Sequence, residues 1–153
     1  ESLQIKEFSQ PAGGCCFLTD ASYASKIRDM WHTRGEKNYD LDDIMLLKVG
    51  RHLRPEPHFK MIVARDEGET NYLSGYRSRF DHLLMKSHKG PLTLLDGILG
   101  DDDVELAARI AARFGQGRDA KRVSFHVVTK DGQERELSIV PMKSREIPNI
   151  WYL

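Results

Sequence analysis

Val123-Ser124-Phe125-His126-Val127-Val128-Thr129-Lys130-Asp131-Gly132-Gln133-Glu134-Arg135-Glu136-Leu137-Ser138-Ile139-Val140-Pro141 is the stretch whose reading decides the fold. Asp131-Gly132 is a strong hairpin-turn signal, because glycine takes the positive φ that tight turns between strands require. The flanking limbs, Val123–Lys130 and Glu134–Pro141, read as its two strands. Strands joined by so short a turn run antiparallel, so the C-terminal third predicts antiparallel sheet.

Immediately upstream, Asp101-Asp102-Asp103 precedes Val104, Leu106, Ala107, Ile110, Ala111 and Phe114 at helical spacing. The acids suit the positive end of a helix dipole, and Gly115 and Gly117 end the helix. Further back, Phe80–Lys86 reads as a strand, His88-Lys89-Gly90-Pro91 as a turn and Leu92–Leu95 as an apolar run. Asp66–Ser74 reads as a short helix with Asp66 as cap and Glu69 at the capping-box position. Residues 51–65 hold two extended segments split by Pro55-Glu56-Pro57, since proline forbids a helix there.

The front of the chain predicts two more helices. Tyr23, Ile27, Met30 and Trp31 mark one over residues 21–33, capped by Thr19 or Asp20 and ended by Gly35. Asp40 caps the next, with Asp42-Asp43 in its first turn and Ile44, Leu46, Leu47 and Val49 on its apolar face, up to Gly50. Residues 1–14 read as an entry strand broken by Pro11-Ala12-Gly13-Gly14. Trp151 and Tyr152 in the tail are expected to pack back onto the body. The sum is an α+β fold, a largely antiparallel sheet with about four helices, taken as one domain over residues 1–153.

Composition agrees with one folded body. Of 153 residues, 40% are hydrophobic and 30% charged, enough for a core and too balanced for a disordered chain. No run approaches the roughly 18 apolar residues of a membrane span, and no basic-then-apolar signal segment opens the chain. The sequence starts at Glu1 rather than Met, which reads as a piece of a longer protein. Adjacent Cys15 and Cys16 favour neither a disulfide nor a metal site, so a cytoplasmic, reducing compartment is expected.

Few residues read as chemistry. The Gly13-Gly14-Cys15-Cys16 corner ahead of a helix offers a reactive thiol for sulfur transfer, or simply small residues filling a core. The histidines His32, His52, His58, His82, His88 and His126 lack metal-ligand spacing. No serine elbow, phosphate loop or dinucleotide fingerprint is present, so neither a catalytic set nor a cofactor is expected in this stretch.

Basic clustering is the remaining signal. Net charge is zero, with 23 basic and 23 acidic residues, but the signs segregate. Lys48–Arg65 holds five Lys or Arg against Glu56, and Tyr76–Pro91 holds four against Asp81. Acids gather at 36–43 and 96–105. Such segregation allows one positive face for phosphates, and the interleaved His52, His58, Tyr72, Tyr76, Phe80 and His88 offer rings for unpaired bases. A protein-docking module anchored by Trp151 and Tyr152 is the other non-catalytic reading.

These residues also resemble a known family. Lys60-Met61-Ile62-Val63-Ala64-Arg65-Asp66-Glu67, then Asn71, a strand opening at Asp81, His88-Lys89-Gly90-Pro91 and the Ala107–Phe114 helix are similar to the NFACT-R RNA-binding domain. Ala64 stands where the family has glycine, and Asp66 where it has asparagine. Pro11–Cys15, Leu18-Thr19-Asp20 and Leu47–Arg54 look like the version fused behind PP-loop ATPases, the enzymes similar to tRNA 4-thiouridine synthetase and the 2-thiouridylases.

The resemblance implies a C-terminal accessory domain that binds RNA, in particular tRNA, while a PP-loop domain of the same chain acts as the thiolating transferase. The basic clusters and the resemblance together give the expected RNA contacts Arg51, His52, Arg54, Lys60, Arg65, Asn71, Lys86, His88 and Lys89, of which the resemblance carries Arg65, Asn71, Lys86, His88 and Lys89.

Overall fold

The computed structural model describes residues 21–34 and 40–153. The expected entry strand, the Cys15-Cys16 corner, the Thr19 or Asp20 cap and the Gly35 stop lie outside the described residues. The chain packs as two compact units. One runs to Lys48 and includes Leu153; the other is Val49–Tyr152.

In the first unit, helix α1 covers Ala21–Arg34 and α2 covers Leu41–Leu46. Asp40 and Asp43 form the reciprocal capping box expected of this sequence: each side chain accepts the other's backbone N–H, at 2.9 and 3.0 Å. Arg34 pairs with Asp43 at 2.9 Å. Tyr23, Met30 and Leu47 form a small apolar cluster with Ile27 and Ile44.

The second unit is a six-stranded antiparallel sheet with helices packed on it. Its elements are β1 (Arg51–Glu56), β2 (Phe59–Val63), α3 (Glu67–Ser74), β3 (Asp81–Met85), β4 (Thr93–Gly97), α4 (Asp101–Ala112), β5 (Val123–Val128) and β6 (Glu134–Ile139). The sheet order is β1-β2-β4-β3-β5-β6, every neighbouring pair antiparallel. The α+β fold with an antiparallel sheet is therefore the one expected.

Alternation decides which side chains meet α4. Leu53, Phe59, Met61, Val63, Leu83 and Phe125 share a buried cluster with Ala107, Ala108, Ile110 and Ala111 of the helix. Four alanines, Ala107, Ala108, Ala111 and Ala112, let α4 approach the sheet closely, and each is fully buried. Burying Phe59 and Phe125 completely contributes roughly 2–3 kcal/mol apiece. Trp151 packs against the same cluster, and Tyr152 bridges to Leu53, so the tail folds back as expected.

Three local details depart from the sequence reading. The apolar run at Leu92–Leu95 is a strand, β4, set between β2 and β3. The β5–β6 turn takes in Lys130, expected in the first limb, since Gly132 N–H returns to the Thr129 carbonyl and Thr129 N–H donates to the Gln133 carbonyl. Gly132 holds φ +95° there, as its position in the sequence requires. Asp66 caps α3 by accepting the Glu69 N–H at 2.8 Å, but the Glu69 carboxylate reaches past Asp66 to the N–H of Arg65.

Candidate nucleic-acid interface

Sheet register sorts the charges by end. Arg51 faces Val63 and Val63 faces Thr93, so the start of β1, the end of β2 and the start of β4 lie together. Met85 faces Phe125 and Val123 faces Ile139, which brings the end of β3, the start of β5 and the end of β6 to that same end. Helix α4 terminates there too: the Gln116 N–H donates to the Lys89 carbonyl at 2.8 Å, and Met142 N–H donates to the Arg109 carbonyl at 3.0 Å. Its acids Asp101, Asp102 and Asp103 lie at the far end of the helix, Arg109 and Arg113 at the near one. This arrangement complements the helix dipole at both termini, and it polarises the unit as a whole.

Two clefts open at the basic end and share Arg118. One, of about 690 Å³, is lined by Arg113, Arg118, Lys121, Lys143 and Arg145 with Asp119 as its single acid. None of those five cations makes an ion pair among the described residues, and all but the half-buried Arg113 are exposed. The other, of about 400 Å³, lies between the β2–α3 turn (Ala64–Glu67), the β3–β4 loop (Lys89–Pro91) and residues 114–116. Phe114, one of its lining residues, also carries the Arg51 guanidinium 4.9 Å from its ring centroid.

The residues expected from sequence distribute unevenly over this surface. Arg65 and Lys89, from separate stretches, line the 400 Å³ cleft together, and Arg51 adjoins it through Phe114. Arg65 is already engaged: it chelates Glu69 through Nε at 3.1 Å and Nη2 at 2.7 Å. That side-chain contact, aided by the N–H groups of Arg65 and Gly50, holds the Glu69 carboxyl down at about 2. Asp66 and Glu67 stand in the same cleft, so the acids are not all turned away from the cations.

The other expected contacts sit elsewhere. His52 and Lys60 are buried, 2% and 4% exposed, on the sheet face opposite α4's; Lys60 lies directly across from Asp96. Arg54 is at the far end of β1, where it donates to the Pro57 carbonyl at 3.2 Å. Lys86 is tied to the Glu136 carboxylate on β6. Asn71 is exposed on α3 and lines neither cleft. His88 is at the basic end but acts within it: its Nδ1 lies 2.7 Å from the Ser87 hydroxyl, which accepts the Ser124 N–H, and its ring packs on Gly117.

Arg113, Arg118, Lys121, Lys143 and Arg145 were not among the expected contacts. For Arg113, Arg118 and Lys121 the signal was present, since Arg109–Arg122 holds five cations against Asp119 alone, a denser run than Lys48–Arg65; Lys143 and Arg145 stand outside it. Among the described residues no three His, Cys, Asp or Glu side chains assemble into a metal-ligating group. No helix there is long and apolar enough to cross a membrane.

A polarised antiparallel α+β unit with unpaired cations at one sheet end is the class of domain that holds nucleic-acid backbone. Residues 50–152 match the family model for the NFACT protein RNA binding domain, and the chain belongs to that family. It is an RNA-binding domain. The matched range coincides with the second compact unit, and the front motifs at Pro11–Asp20 fall outside it.

Among solved structures, the chain is similar to the C-terminal of the fibronectin/fibrinogen-binding protein from Streptococcus suis, with a TM-score of 0.55 and 16% identity. The similarity covers 86% of this chain and 62% of that one, so this chain spans less than two thirds of the other's length. At that identity the likeness is one of fold. No curated protein matches the chain.

Proposed function

We propose that the RNA held by this domain is tRNA, and that the domain presents it to a PP-loop ATPase domain of the same chain, which thiolates it. In this reading the transferase chemistry and its ATP belong to that other domain. The RNA-binding unit needs no cofactor of its own and works in the cytoplasm. The observation that supports it is the cleft where five cations face one acid. Lysine and arginine in such a cleft neutralise phosphates without reading bases, which suits recognition of a folded RNA by its backbone and shape. The front-of-chain motifs Pro11–Cys15 and Leu47–Arg54, with their resemblance to the thiolation enzymes, favour tRNA over other structured RNAs.

Fluorescence anisotropy with the full 153-residue chain tests this. A tRNA transcript is expected to bind more tightly than an unstructured RNA of equal length, with affinity falling steeply as salt rises. Equal affinity for the two RNAs would overturn the tRNA assignment.

A further inference from the structure

The two clefts that meet at Arg118 differ in electrical character. In the larger one, five cations face a single acid. In the smaller one, Arg65 is neutralised by Glu69, which leaves Lys89 and Arg118 against Asp66 and Glu67, two charges of each sign. Phosphate seeks the unbalanced cleft. The balanced one suits an uncharged group that carries both hydrogen-bond donors and acceptors.

We propose that the smaller cleft receives the base of a single unpaired nucleotide while the cation-lined cleft holds the phosphates beside it. The inference rests on the RNA-binding reading and specifies which RNA feature the site takes. Its volume, about 400 Å³, lies within the roughly 300–1,000 Å³ typical of small-molecule sites. Ala64, Pro91 and Phe114 give it apolar walls.

Glu67 and Gln116 line it with side chains that make no hydrogen bond or ion pair among the described residues. A carboxylate that accepts and an amide that both donates and accepts match the mixed edge of a nucleobase, guanine above all, whose N1–H and amino group both donate. Arg118 belongs to both clefts and connects base to backbone.

The test compares two RNA hairpins of the same stem, one fully paired and one with a single bulged guanosine, bound to the full chain. Edge hydrogen bonds and packing on the apolar walls predict that the bulged hairpin binds roughly fivefold tighter or better. The variant E67Q/Q116A, altered at two surface side chains, should bring the two hairpins to equal affinity. The variant K121E/R145E should weaken both hairpins alike.

Equal binding of both hairpins by the unaltered protein, with both weakened by K121E/R145E, would overturn the base site and leave the backbone reading intact. A bulge preference that survives E67Q/Q116A would overturn it as well. Indifference of both hairpins to K121E/R145E would instead remove the backbone cleft on which the inference rests.

Discussion

Arg65 chelates Glu69 across one turn at the start of α3, two guanidinium nitrogens on two carboxylate oxygens. The same carboxylate accepts the Arg65 backbone N–H at 2.8 Å, so it secures the entry of the helix as well as the side chain. A cation prominent in the sequence is thereby neutralised, and the adjoining cleft is left electrically balanced.

Glu69 titrates at about 2 rather than 4.5, chiefly through its bond to Arg65. A carboxyl with a lowered folded pKa contributes stability that is complete above about 4.5 and is lost as pH falls towards about 2. Arg65 is about half exposed, so solvent screening limits the pair to about 0.5–1 kcal/mol. Urea unfolding of E69Q should show that loss at pH 7, and the gap to the unaltered protein should close between pH 4.5 and 2.

Charge in the larger cleft should govern RNA affinity and its salt dependence. K121E/R145E is expected to lower the slope of log K against log salt by about one for each phosphate it ceases to neutralise, read by anisotropy at several salt concentrations. K86A is the contrast, because Lys86 is engaged with Glu136, and its RNA affinity should stay within about twofold of the unaltered protein's.

Gly97 ends β4 at φ +142°, where a Cβ would overlap the His58 carbonyl oxygen and stand 2.7 Å from the Phe59 Cα. Both are backbone atoms, so nothing moves aside cheaply. G97A should cost roughly 1–3 kcal/mol, read as a lowered urea midpoint with an unchanged slope.

His82 is 3% exposed on β3, and burial pushes its imidazole pKa below the ordinary 6.5. The unfolded chain therefore binds a proton that the folded one resists, and stability from this site falls as pH drops below about 6.5. H82N should flatten the pH dependence of the urea midpoint below that value while leaving the region near pH 8 unaffected by proton uptake.

Local signals were legible because they are local. The Asp131-Gly132 turn, the Asp40 and Asp66 caps and the acid-headed helix at Asp101 each depend on side chains within a few residues of the backbone they fix. Lys60 shows where that logic stops. Basic and flanked by His58 and Phe59, it reads as a phosphate contact, yet every residue of β2 is buried. Arg118 shows the converse, a residue unremarkable beside Asp119 that the fold sets between two clefts.

The sequence by itself determined the element types, the antiparallel hairpins and a family resemblance, since period, caps and turns are written in neighbouring residues. Only the tertiary structure decided which cations share a surface. The order β1-β2-β4-β3-β5-β6 and the seating of α4 bring Lys121 and Arg145 to one end of the sheet. Long-range strand register fixes that meeting of distant residues, and no short window of sequence encodes it.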